Sequence, residues 1–308
     1  MKNIAFLFPG QGSQSVGMMS GFADLNIIRD TFAEASDVLG IDLWAMATEA
    51  NDSINETTNT QPMMLTAGIA TWRAWQAASD RLPTVVAGHS LGEYTALVAS
   101  GAISFKDALP LVRYRAEVMQ NAVPAGVGAM AAILGLDDET VRAVCAEAAQ
   151  NEVLEAVNLN SPGQVVIAGN KAAVDRGMDL AKAKGAKRAL PLPVSVPSHC
   201  ALMKPAALQL AEYLKNVTVN TPQIPVLHNA DVASYSDGEK IRDALVRQLY
   251  SPVRWVETVQ AIAAQGVTQT AECGPGKVLA GLTKRIVAEL PCVALTSNDA
   301  LLELKNSI

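Results

Sequence analysis

Residues 88–92 read Gly88-His89-Ser90-Leu91-Gly92 and match the pattern G-x-S-x-G. An apolar run at 84–87 precedes the motif, and a helix-like stretch at 93–100 follows it. Strand, tight turn and helix in this order are the context in which the pattern forms a nucleophile elbow. Glycines at both ends allow a sharp turn, which places the Ser90 hydroxyl at the head of a helix, where free N–H groups stabilise negative charge. The alternative is a strand-to-helix turn that happens to carry a serine.

Around the elbow, short apolar runs alternate with longer alanine-rich amphipathic stretches. We expect strands at 4–8, 84–87 and 269–272, and helices near 30–39, 62–78 and 107–121. This alternation is typical of an α/β layer fold with a mostly parallel sheet.

The pattern changes between residues 125 and 196. There we expect, in order, a strand at 128–134, a helix at 138–150, strands at 153–158 and 164–168, a helix at 171–184 and a strand at 186–192. The order β-α-β-β-α-β is the ferredoxin-like arrangement. We therefore predict an inserted subdomain at 125–196 within a core formed by 1–124 and 197–308.

Composition narrows the class of protein. The chain has 308 residues, half of them hydrophobic, so it can bury a sizeable core. Its net charge of −6 argues against general nucleic-acid binding. No apolar stretch approaches the length of a membrane span, and the run at 4–8 is too short for a signal peptide. The four cysteines are widely spaced and form no metal motif, which fits a reducing compartment, so we expect a cytoplasmic protein.

A serine nucleophile needs a base, and the chain has three histidines. His89 adjoins Ser90 and should point away from it, because consecutive strand side chains alternate. His228 lies in a strand-like apolar run and is interpreted as structural. His199 follows Ser198, a candidate cap of the next helix, and a first-turn position would keep its imidazole neutral. We predict His199 as the base; the alternative is a loop histidine satisfied by its surroundings.

A third group usually orients such an imidazole. Glu272, near the end of a predicted strand, is the only acid we would consider. A backbone or amide carbonyl would serve as well, since the role requires only a fixed acceptor for an N–H.

Arg115 is the most informative residue outside the elbow. Ser104 and Asp107 form a possible capping box that opens its helix, and Arg115 lies midway between Leu111 and Met119, inside an apolar stripe. A buried guanidinium keeps its proton and needs an anion. We predict that Arg115 holds a substrate carboxylate in bidentate fashion. The alternative is an arginine whose stem covers apolar surface and whose charged end is in water.

The loop at 9–14 follows the first predicted strand and reads Pro9-Gly10-Gln11-Gly12-Ser13-Gln14. It lacks the third glycine of a dinucleotide-binding loop, and no Gly-Lys-Ser/Thr follows. We expect instead that a backbone N–H of this loop joins that of Leu91 in an oxyanion hole.

Several segments, taken in order, resemble the malonyl-CoA:acyl carrier protein transacylase family over nearly the whole chain. They are Phe8-Pro9-Gly10-Gln11-Gly12-Ser13-Gln14, Thr60-Gln61-Pro62, Gly88-His89-Ser90-Leu91-Gly92-Glu93-Tyr94, Arg115 with Met119-Gln120, Asn160-Ser161-Pro162-Gly163-Gln164, Val196-Pro197-Ser198-His199, Arg247-Gln248-Leu249, Pro252-Val253-Arg254-Trp255 and Glu272-Cys273-Gly274-Pro275-Gly276. From 164 to 255 the chain is especially similar to the stand-alone bacterial enzyme of fatty-acid synthesis.

The resemblance implies an α/β hydrolase-like core with a mostly parallel sheet plus an inserted ferredoxin-like α+β subdomain. It implies that Ser90 is acylated by malonyl-CoA, that His199 is the general base and that Arg115 binds the malonyl carboxylate. Main-chain groups take the remaining roles: the N–H groups of Gln11 and Leu91 form the oxyanion hole, and the carbonyl of Gln248 orients His199. Neither a cofactor nor a metal is implied.

The expected activity is therefore ping-pong transfer of malonyl from CoA to Ser90 and on to the phosphopantetheine thiol of acyl carrier protein. A serine hydrolase such as a thioesterase would share the nucleophile and base, but Arg115 favours an acyl group that ends in a carboxylate. A carrier-binding scaffold without chemistry is the third interpretation. Malonyl and methylmalonyl are not distinguished.

The expected partners are malonyl-CoA and acyl carrier protein, without nucleic acid or membrane, and a monomer is compatible with the sequence. Because carrier proteins of this kind are acidic and the chain is acidic too, docking needs a local basic patch. The candidate pairs are Lys187-Arg188 and Lys284-Arg285, with ordinary solvated surface as the alternative.

Overall fold

The computed structural model of the protein describes residues 3–194 and 196–308. Within them the chain forms nine strands: β1 Ile4–Phe8, β2 Val85–Gly88, β3 Gly128–Leu134, β4 Leu154–Ser161, β5 Gln164–Asn170, β6 Arg188–Pro191, β7 Val226–Leu227, β8 Gln269–Cys273 and β9 Cys292–Leu295.

Helices separate most of the strands. They are α1 Asn26–Leu39, α2 Leu43–Thr48, α3 Thr57–Ala78, α4 Gly92–Ala99, α5 Phe105–Gln120, α6 Asp138–Ala149, α7 Lys171–Ala183, α8 Lys204–Leu214, α9 Gly238–Gln248, α10 Trp255–Ala264, α11 Val278–Ile286 and α12 Asn298–Ser307, with short 3-10 turns at Ser53–Asn55 and Ala201–Met203.

A parallel sheet with the strand order β7-β2-β1-β8-β9 lies at the centre of the larger unit. Its central strand β1 is buried along its whole length, as expected of a parallel strand covered on both faces. Successive side chains enter different cores: Phe6 packs with Trp72 and Trp75 of α3, whereas Leu7 packs in the cluster of α10 and α11. The sheet thus brings the loops after β1, β2 and β7 to one edge.

The second sheet is antiparallel, with the order β4-β5-β3-β6. Helices α6 and α7 cover one face, where Ile133 and Ile167 lie in their apolar cluster. The opposite face carries Met130 and Val166. This is the ferredoxin-like arrangement, so the predicted fold class, a parallel α/β core plus an inserted α+β subdomain, is confirmed. The boundaries 1–124, 125–196 and 197–308 stay a prediction.

Backbone pairing joins the antiparallel sheet to the segment before α10. Val253 donates to Val157 O at 2.8 Å, and Leu159 of β4 donates to Val253 O at 3.1 Å. Strand β4 is therefore fixed against the segment that leads into α10.

Several element boundaries differ from the expectations. The helix expected near 62–78 begins earlier, at Thr57. Pro62 lies within this helix near its start and is not its first residue. Helix α1 begins at Asn26, and the strand-like run before His228 supplies only Val226 and Leu227 to the sheet. Among the described residues, no helix is both long and apolar enough to cross a membrane.

Candidate active site

The turn between β2 and α4 brings Ser90 to the edge of the parallel sheet. Ser90 has a φ of 50°, a left-handed conformation that is unusual for a residue with a side chain. A Cβ on Gly88 would lie 1.9 Å from the carbonyl carbon of Gly92, and one on Gly92 would lie 2.0 Å from Phe8 O. Gly88 is therefore required for the elbow to turn back on itself, and Gly92 is required for the elbow to pack against β1.

Asn229 holds this turn from the neighbouring strand. Its Oδ1 accepts a hydrogen bond from Ser90 N at 2.8 Å, and its Nδ2 donates to Gly88 O at 2.7 Å. Asn229 is buried and follows β7, at the same sheet edge as the elbow. Asn229 was not predicted from the sequence, although its position directly after an apolar run was an available signal.

Ser90 and His199 form a hydrogen-bonded pair. Ser90 Oγ lies 2.8 Å from His199 Nε2, and His199 Nδ1 lies 2.7 Å from the main-chain oxygen of Gln248. Because a carbonyl oxygen only accepts, Nδ1 carries the ring proton and Nε2 is free to accept from the Ser90 hydroxyl. The geometry is that of a nucleophile, a base and an orienting acceptor.

Burial keeps His199 neutral. Loss of hydration on burial and, to a smaller extent, the charge of Arg115 lower its pKa to about 3, although the hydrogen bond to the Gln248 carbonyl acts in the opposite direction. The expected helix cap is wrong: Cys200 precedes the 3-10 turn that leads into α8, and Ser198 caps no helix. His199 lies in a turn with a φ of 65°, so burial and not a helix terminus favours the unprotonated ring.

Arg115 is buried at the same place, with 1% of its surface exposed. Its Nη1 donates to Gln61 Oε1 at 2.7 Å, and its Nη2 donates to Gln248 Oε1 at 2.9 Å and to Ser90 Oγ at 3.2 Å. The guanidinium also lies over the ring of Tyr94, 5.3 Å from its centroid. Within residues 3–194 and 196–308, no carboxylate forms an ion pair with it. The alternative interpretation, in which the charged end of Arg115 lies in water, is therefore wrong.

The loop after β1 lies against the elbow. A Cβ on Gly10 would be 2.5 Å from His89 O and 3.7 Å from Leu91 N. Gln11 and Leu91 both line the cavity beside Ser90. In the described part of the chain, neither main-chain N–H donates to another protein group. Both are therefore free for an oxyanion.

A cavity of about 570 Å³ opens in front of Ser90. The core supplies one wall, with Leu279 and Leu282 of α11, and the ferredoxin-like sheet supplies the other, with Met130 and Val166. Its lining mixes apolar side chains with polar groups, among them Ser90, His199 and Arg115, which is typical of a small-molecule site.

The other two histidines have separate surroundings. His89 Nε2 lies 2.8 Å from Asn160 Oδ1 of β4, so the ring faces the inserted sheet, and burial lowers its pKa. His228 Nδ1 lies 2.7 Å from Glu93 Oε1 in the core. Neither ring contacts the Ser90 hydroxyl.

Glu272 is not the partner of the base. Its Oε2 accepts from Ala280 N at 2.8 Å, so it holds the first turn of α11, and burial raises its pKa to about 6. The Gln248 main-chain oxygen occupies the position next to His199 instead. Gln61 and Glu93 were not predicted as site residues either, although they lie within the motifs Thr60-Gln61-Pro62 and Gly88-His89-Ser90-Leu91-Gly92-Glu93-Tyr94.

A serine, its base and free N–H groups beside a cavity form a site for acyl transfer through a serine ester. Residues 5–296 match the family described as "Acyl transferase domain". The malonyl CoA-acyl carrier protein transacylase of Escherichia coli K12 is 56% identical over 303 residues, which are 98% of each chain. The chain belongs to the malonyl CoA-acyl carrier protein transacylase family.

Solved structures agree with this assignment. The acyl-carrier-protein S-malonyltransferase of Burkholderia pseudomallei 1710b has a TM-score of 0.97 and 61% identity, covering 99% of both chains. A malonyl-transacylase solved in complex with its type II PKS acyl-carrier protein has a TM-score of 0.98 and 53% identity, covering 99% of this chain and 100% of that one.

Proposed function

We propose that the protein transfers malonyl from malonyl-CoA to the phosphopantetheine thiol of acyl carrier protein, for fatty-acid biosynthesis. The observation that carries this proposal is Arg115: a buried cation that pairs with no carboxylate among the described residues, 3.2 Å from the hydroxyl that would carry the acyl group. A malonyl ester on Ser90 has its free carboxylate two carbons beyond the oxygen-bound carbon. Such a carboxylate supplies the anion that Arg115 lacks.

The first half-reaction acylates Ser90. His199 Nε2 removes the hydroxyl proton as Ser90 Oγ attacks the thioester carbonyl. The N–H groups of Gln11 and Leu91 stabilise the oxyanion of the tetrahedral intermediate. Its collapse breaks the carbon–sulfur bond, and the thiolate of CoA leaves with the proton held by His199.

The second half-reaction reverses these steps. The carrier thiol gives its proton to His199, and its sulfur attacks the ester carbonyl. The carbon–oxygen bond breaks, and Ser90 regains a proton from His199. The Gln248 carbonyl holds the imidazole throughout, because its hydrogen bond to Nδ1 is made in both protonation states.

Acyl carrier protein is the proposed second substrate because a relative with 53% identity was solved in complex with its own carrier. Lys187 and Arg188 lie beside the segment that lines the cavity at Leu192, and Lys284 and Arg285 end α11; all four are exposed. We retain them as the docking candidates. The cytoplasmic location and the monomeric state stay predictions.

Intact-mass measurement after mixing with malonyl-CoA tests the proposal. We expect the wild-type protein to gain the mass of one malonyl group and to lose it when holo-acyl carrier protein is added. Ser90→Ala should gain no mass, because no other group at the elbow can carry the ester. Hydrolysis of malonyl-CoA without a carrier product would instead indicate a thioesterase, and labelling of Ser90→Ala would refute the nucleophile.

A further inference from the structure

Glu93 is a fully buried acid in the first turn of α4, three residues after the nucleophile. Its carboxylate is the meeting point of three groups from two other elements. Its Oε1 lies 2.7 Å from His228 Nδ1, and its Oε2 accepts from Asn229 N at 2.8 Å and from Gln248 Nε2 at 3.0 Å. The mechanism described above assigns this carboxylate no role.

Two of these neighbours hold the reacting groups in place. Asn229 clamps the elbow through Ser90 N and Gly88 O. Gln248 contacts the site three times: its main-chain oxygen accepts from His199, its Oε1 accepts from Arg115 at 2.9 Å, and its Nε2 donates to Ser90 O at 2.9 Å. Glu93 is thus one hydrogen bond away from the residues that hold the base, the cation and the nucleophile.

The orientation of the Gln248 amide decides what Arg115 meets. In the observed orientation Nε2 donates to Glu93 and to Ser90 O, at 3.0 and 2.9 Å, and Oε1 faces the guanidinium. The opposite orientation would place an NH₂ group against the donors of Arg115 and an oxygen against the carboxylate. Glu93 Oε2 accepts from Asn229 N and from Gln248 Nε2, so Glu93 favours the first orientation together with the carbonyl of Ser90 and the donors of Arg115.

We propose that Glu93 is a positioning residue of the transfer reaction, which fixes the Gln248 amide so that Arg115 is aligned for the substrate carboxylate and His199 for the nucleophile. The inference rests on the proposed function. It places the buried acid of this site behind Gln248, whereas the acid considered from the sequence as a partner of the base was Glu272.

An amide cannot replace this carboxylate without conflict. In Glu93→Gln one of the two positions becomes an NH₂ group, which faces either His228 Nδ1 or the donors of Asn229 and Gln248. A tautomer change of His228 would relieve the first conflict, but it would place a proton on Nε2, which is buried without a partner among the described residues. Glu93→Asp keeps an acceptor-only group and serves as the conservative variant.

The test is a double-mutant cycle of Glu93→Gln and Gln248→Met, with kcat and KM measured for acyl transfer from malonyl-CoA and from acetyl-CoA. We expect Glu93→Gln to lower kcat/KM for malonyl-CoA by about tenfold or more, with a smaller loss for acetyl-CoA. In the Gln248→Met background the same change should cost clearly less, because the route through the Gln248 amide is gone and only the contact with Asn229 is left. Glu93→Asp should recover part of the malonyl preference.

Glu272→Gln is the matched control, since Glu272 is equally buried and contacts neither Gln248 nor Arg115. It should lower the melting temperature without changing the malonyl-to-acetyl ratio. Independent, multiplying effects of Glu93→Gln and Gln248→Met would overturn the inference, as would an unchanged malonyl-to-acetyl ratio in folded Glu93→Gln. If wild-type protein transfers no malonyl, the proposed function fails instead, and the two failures are distinct.

Discussion

Arg115 and Ser90 share a hydrogen bond: Nη2 of the guanidinium lies 3.2 Å from the serine Oγ. The buried cation therefore lies beside the oxygen that the proposed reaction acylates, and an acyl chain on that oxygen would begin next to a positive charge. This placement relates the choice of acyl group to the geometry of the nucleophile, since the carboxylate of a short diacid reaches Arg115 without leaving the cavity.

We expect Arg115→Ala to lower kcat/KM for malonyl-CoA by about 30-fold or more, equivalent to at least about 2 kcal/mol for a buried charged contact. Use of acetyl-CoA should fall less, because acetyl has no carboxylate. Steady-state transfer with both thioesters measures the ratio. Arg113→Ala, two residues earlier on α5 and paired with Glu117 at the surface, is the control and should keep the ratio. An unchanged ratio in Arg115→Ala would show that the carboxylate binds elsewhere.

Removal of the base should slow both half-reactions. His199→Ala is expected to reduce acylation by malonyl-CoA and release to the carrier by about 10²–10⁴-fold each, because one imidazole serves as acid and base. Rapid-quench intact-mass measurements follow the two steps separately. Acylation at the wild-type rate near neutral pH would shift the assignment to another base.

The acylation rate should not depend on pH in the way expected of an ordinary histidine with a pKa near 6.5. The pKa of His199 is lowered to about 3 by burial and by Arg115, so the free enzyme keeps an unprotonated base from about pH 8 down to about pH 5. We therefore expect kcat/KM for malonyl-CoA to stay flat as the pH falls through 6.5. The initial rate of CoA release measures it, and a loss of rate with a midpoint near 6.5 would contradict the neutral, buried base.

Reversal of the basic pairs should weaken carrier docking. Lys187→Glu/Arg188→Glu and Lys284→Glu/Arg285→Glu are expected to raise KM for acyl carrier protein, most of all at low ionic strength. Lys240→Glu/Lys305→Glu changes the net charge equally, at exposed positions on α9 and α12, and serves as the control. Carrier kinetics that respond to neither the pairs nor the salt concentration would remove these residues as docking candidates.

Short-range patterns in the sequence predicted much of the fold and part of the candidate site. The elbow is encoded within five residues, because its two glycines meet their neighbours at distances that exclude a Cβ. The ferredoxin-like order followed from the alternation of short apolar runs with amphipathic helices. The position of Arg115 in an apolar stripe predicted a buried cation, and the side chain is buried in the structure.

The residues that were not predicted are those whose roles depend on contacts between distant parts of the sequence. Asn229 reaches Ser90 across 139 positions of the sequence, and Glu93 meets Gln248 across 155. Gln248 orients the base with a main-chain oxygen, a group that every residue carries, so only family resemblance pointed to it. Ser198 was assigned to a helix cap because the local pattern allows one, but the chain forms a turn there and the helix begins later.

The left-handed backbone at Ser90 and His199 bears on the heat resistance of the protein. Each conformation costs a residue with a side chain about 1–3 kcal/mol, and glycine would adopt it with little penalty. The proposed nucleophile and the proposed base thus both occupy positions where the backbone is strained. In a Ser90→Gly protein, relief of this strain would offset part of the stability that is lost with the hydrogen bonds of the Ser90 hydroxyl to His199 and Arg115.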